Sequence, residues 1–128
     1  SFEVCLARRG RTNTPLQALA LLNDTTYVEA ARHLAQRMLL EVEGDMDERV
    51  DYGFRLATGR LPTPSERNTL RQGLEAYRAH YSADPDAATA LIANGESDVP
   101  SEIPSAELAA YMPLASVLLN LDETLTRE

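Results

Sequence analysis

The sequence has no tryptophan, no lysine and a single cysteine, and each shortage narrows the reading. Without Trp, and with few Tyr and Phe, aliphatic side chains and alanine must fill the core. The lone Cys5 excludes an internal disulfide, and no CxxC or CxxCH pair offers a zinc or haem attachment motif. The role of Cys5 stays open: Arg8 is near enough to activate the thiol if the segment turns, whereas a buried, incidental thiol is the plainer reading. No apolar run approaches the roughly 18 residues of a membrane span, so none is expected. No Gly-x-Ser-x-Gly elbow anchors a hydrolase triad, and no Gly-rich loop or lysine suits a nucleotide fold.

What remains has the balance of a globular domain. The 128 residues are 44% hydrophobic and 25% charged, enough for one hydrophobic core. The net charge of −8 argues against non-specific binding to nucleic acid or anionic lipid, which requires a basic face. All twelve bases are Arg, a uniformity that reads as genomic base bias but gives every cation a planar, bidentate fork. The start at Ser1-Phe2-Glu3 reads as that of an excerpt or a processed product.

Helical periodicity runs through nearly all of it. Thr14-Pro15-Leu16-Gln17 is a capping box that opens a short helix to about Leu22. Asn23-Asp24-Thr25 caps a second helix, with Val28, Ala31, Ala35, Leu39 and Val42 on one face, widened by Tyr27, Leu34 and Met38. Glu29, Arg32, Gln36 and Arg37 are assigned to the outer side. Gly44-Asp45 breaks this helix. The next carries Met46, Val50, Phe54 and Ala57 and ends at Gly59, which suits the left-handed position past a helix end.

Thr63-Pro64-Ser65-Glu66 is a second capping box. It precedes a face of Leu70, Leu74, Tyr77 and Tyr81, with Arg71, Glu75 and Arg78 outside as pairing partners. Asp84-Pro85 starts a short helix to Asn94-Gly95, and residues 96–104 form a polar loop. From Asp84 to Glu107 there are six acids and no base, so this side should be negative. Ser105 is expected to cap a last helix, apolar on most sides from Ala106 to Leu121, which length assigns to a central core. Pro113 should kink or break it unless a boundary lies there. The reading is an all-α, single-domain bundle of about five or six helices over residues 1–128, with the C-terminal apolar helix at its centre.

The segment RRGRTNTPLQALALLNDTTYVEAARHLAQRML, the middle FRLATGRLPTPSERNTL and the C-terminal SVLLNLDETLTRE together resemble the C-terminal region of large planctomycete-type proteins carrying a domain of unknown function, the PSD1 type (DUF1553). In those proteins this region commonly follows a cytochrome c-like domain and a further uncharacterised one. The resemblance implies the C-terminal piece of an exported bacterial protein of the periplasm or cell surface, its haem motif upstream of this chain. It implies no activity and carries over no catalytic residue. It does group Arg9, Arg11, Thr12, Asn13 and Thr14, and separately Asn120, Asp122 and Glu123.

One candidate anion site follows from the residues. Free N–H groups at the first helix start, with Arg8, Arg9 and Arg11 and the neutral donors Thr12 and Asn13, suit a carboxylate, sulfate or phosphate. The competing reading pairs these arginines with acids of this domain or of the parent protein. Asn120, Asp122 and Glu123 are the structural acidic partner in that reading; their spacing is not that of a calcium loop. His33 and His80 have no matching ligand at i+4, so no metal and no cofactor is expected.

Three functions compete. In the first, the chain is a non-catalytic helical interaction or scaffold module, packing on the remainder of its parent protein. In the second, it lends an Arg-rich anion site to a parent enzyme acting on acidic, sulfated or uronic, carbohydrate. In the third, its acidic side docks a cytochrome c-like electron-transfer partner.

Overall fold

The computed structural model describes residues 25–93 and 99–127, and the side chains of 28–93 and 99–121. Five helices lie among the described residues, and no strand: α1 (Thr25–Glu41), α2 (Met46–Thr58), α3 (Pro64–Ala83), α4 (Pro85–Ala93) and α5 (Ser105–Arg127). The capping box at Thr14 and the short helix expected after it lie outside the described residues.

Local chemistry sets the helix boundaries. Asp45 caps α2, accepting from the Glu48 N–H at 2.9 Å while Glu48 accepts from the Asp45 N–H at 3.0 Å. Two orphan donors are satisfied reciprocally, and two acids face the positive end of the helix dipole. Gly59 ends α2 at φ 84°, where a Cβ would be strained. Thr63 and Glu66 repeat the capping box at α3, with Pro64 pre-set for the first turn. Asp84 closes α3 through its N–H and opens α4 by accepting from the Ala87 N–H at 3.1 Å.

The core is built around α5, which packs against each of the other four helices, most extensively α1 and α3. Leu108, Ala109, Ala110, Tyr111, Met112, Leu114, Ala115 and Leu118 are all buried, because a helix surrounded on every side has no polar face to spare. Val28, Ala31, Ala35 and Met38 come in from α1, Val50 and Phe54 from α2, Leu70, Leu74, Tyr77 and Tyr81 from α3, and Ala88 from α4. A Cβ on Gly53 would lie 2.5 Å from the Met38 sulfur, so this glycine sets how closely α1 and α2 approach.

The structure corrects several expectations. Helix α1 stops at Glu41, before Val42. Ser105 is the first helical residue of α5 rather than its cap, and the Leu108 N–H bonds the Pro104 carbonyl at 3.0 Å. Pro113 lies inside a continuous α5, buried. Its missing N–H costs about 3 kcal/mol in an isolated helix, and packing on four neighbours outweighs that cost. Finally, Arg32 is not on the outer face: it is 1% exposed, one of the largest fully buried side chains.

Candidate functional site

The candidate anion site, Arg8, Arg9, Arg11, Thr12 and Asn13, lies outside the described residues, as does Cys5. Asn120 is half-buried on α5. Asp122 and Glu123 continue that helix, their side chains outside the described set. The link between the Arg cluster and these acids therefore has no geometry to report. His33 and His80 are exposed, and His80 stacks edge-on against Tyr81 at 4.7 Å. Among the described residues no group of three His, Cys, Asp or Glu is placed to hold a metal ion. No described helix is long and apolar enough to cross a membrane.

The buried charges show what the polar residues are used for. Arg32 donates from Nη1 to the Ile92 carbonyl at 2.9 Å and from Nη2 to Glu29 Oε1 at 2.7 Å. Ile92 is in the last turn of α4, where carbonyls have no intrahelical donor and the dipole is negative. A guanidinium from α1 thus caps the C-terminal end of α4. Glu66 is likewise 1% exposed. It accepts two parallel bonds from Arg60, at 2.9 and 3.0 Å, and one from the Thr63 N–H at 2.8 Å. Arg60 also lies over the Phe54 ring at 4.9 Å, a cation–π contact that joins the α2–α3 connector to the core.

Further ion pairs fasten neighbouring helices at the surface. Arg67 grips Asp51 through two bonds at 2.8 and 3.1 Å, and Arg71 reaches Asp47 and Glu75. Arg78, expected to pair along its own helix, instead bonds Glu107 of α5 at 2.9 Å. At the end of α1, Tyr52 donates to Glu41, and Arg37 holds that carboxyl below the usual carboxylate range. Arg49 donates to the Val42 carbonyl at 3.1 Å, pinning the α1–α2 turn. Burial pushes the Tyr111 phenol up, and the positive charge of Arg49 opposes that shift.

Among the described residues, two clefts flank this turn. One, of about 270 Å³, is lined by Val42, Glu48, Asp51, Tyr52, Arg55 and Leu61. The other, of about 260 Å³, lies between the end of α1 and the segment entering α5. Both are smaller than the roughly 300–1,000 Å³ of typical small-molecule sites. Leu40 and Leu61, two of the exposed large hydrophobic residues, stand at these clefts.

A family model, PSD1, protein of unknown function (DUF1553), matches residues 1–74, more than half of the chain. The chain belongs to the PSD1 family. That match covers the Arg-rich segment, α1, α2 and the first half of α3. No curated protein and no solved structure is significantly similar to the chain. Membership brings no catalytic residue with it, since the family is one of unknown function.

Arg32 has the residue type of an outer face but the position of an inner one. Position 32 follows Val28 by four and precedes Ala35 by three, on the buried face. The periodicity alone contained the signal.

Proposed function

We propose that this chain is a non-catalytic helical interaction and scaffold module, the C-terminal part of a larger exported bacterial protein of planctomycete type, packing on the remainder of that parent. One observation carries the reading. Arg32 and Glu66, both 1% exposed, are each used to hold a helix end in place. Charges desolvated to this degree are costly unless bonded, and here the bonds join structural elements.

The family match supports the parent context only as far as a shared domain of unknown function. A cytochrome c-like domain in the same parent, and residence in the periplasm or at the cell surface, are parts of the proposal that rest on sequence resemblance. The test compares the full-length parent with a version lacking residues 1–128. Loss of parent folding or assembly supports the scaffold. A parent that stays folded but loses turnover supports instead a shared site, with Arg9, Arg11 and Asn13 contributing to an acidic substrate.

A further inference from the structure

We draw no further inference here: the strongest candidate, the apolar recess that Leu39, Leu40, Ile103 and Pro104 form between the end of α1 and the segment entering α5, carries nothing, because nothing in the structure shows what covers it.

Discussion

Arg32 in α1 donates a 2.9 Å hydrogen bond to the carbonyl of Ile92 in α4, sixty residues away in the chain. The bond closes the end of one helix with a side chain from another, and the same guanidinium holds Glu29 on its own helix. Replacing Arg32 by Ala removes both bonds and empties a buried volume. A loss of about 2–4 kcal/mol is expected in chemical denaturation. Arg32→Met restores packing but no donor and should recover roughly half of that loss. A loss below about 0.5 kcal/mol for Arg32→Ala would place this residue on the surface after all.

The Glu66 carboxylate serves both Thr63 and Arg60. Glu66→Ala leaves the α3 cap half made and the guanidinium without its partner, for an expected cost of about 2–3 kcal/mol. Glu66→Gln keeps an acceptor for the Thr63 N–H and should cost about 1 kcal/mol. A double-mutant cycle between Arg60→Met and Glu66→Gln should return a coupling of about 1 kcal/mol or more. Additive single effects would mean that the bidentate pair contributes nothing.

Two glycines in helices should respond to alanine with opposite signs. At Gly73 a Cβ meets nothing within 4 Å, so Gly73→Ala gains helix propensity and stabilises by about 0.5–1 kcal/mol. At Gly53 the new Cβ meets the buried Met38 side chain at 2.5 Å. Overpacking of about 1–3 kcal/mol then outweighs the propensity gain, and the variant melts lower. Thermal melts of the two variants side by side decide it.

The Ser116 hydroxyl is fully buried on α5 with no hydrogen-bond partner among the described residues. Desolvating an unsatisfied hydroxyl costs about 1–3 kcal/mol, so Ser116→Ala should leave stability unchanged or raise it by about 1 kcal/mol. A clear loss of stability would reveal a partner for that hydroxyl.

Burial pushes the Tyr77 phenol up to about 12, and Tyr81 and Tyr111 shift in the same direction. The unfolded chain releases these protons near pH 10 while the folded chain keeps them. Stability is therefore fully present below pH 10 and falls as pH rises through about 12. Tyr77 alone should account for roughly 2–3 kcal/mol of that loss. Tyrosinate absorbance followed with circular dichroism should show ionisation coinciding with unfolding, and Tyr77→Phe should flatten the alkaline limb. Ionisation of all five tyrosines near pH 10 without unfolding would contradict the burial.

The helical plan was legible because its signals are local. Capping boxes at Thr63 and a glycine at position 59 act within one turn, and the faces of α2 and α3 follow from spacing alone. The central place of α5 was legible too, since an apolar helix on most sides has to be surrounded. What escaped depended on partners distant in sequence. Nothing near Arg32 announces that its acceptor is Ile92, and nothing on α3 announces that Arg78 leaves its own helix for Glu107. Pro113 was read by its local penalty, which four packed neighbours overrule. The Arg-rich segment stood out by composition, and its residues lie outside those the structure describes.

The claim that this chain acts as a module packing on its parent is tested most directly by adding it in trans to the parent protein lacking it, under calorimetry. The account predicts saturable, stoichiometric binding that raises the melting temperature of the truncated parent. A truncated parent that neither binds the chain nor changes its melting temperature would contradict it.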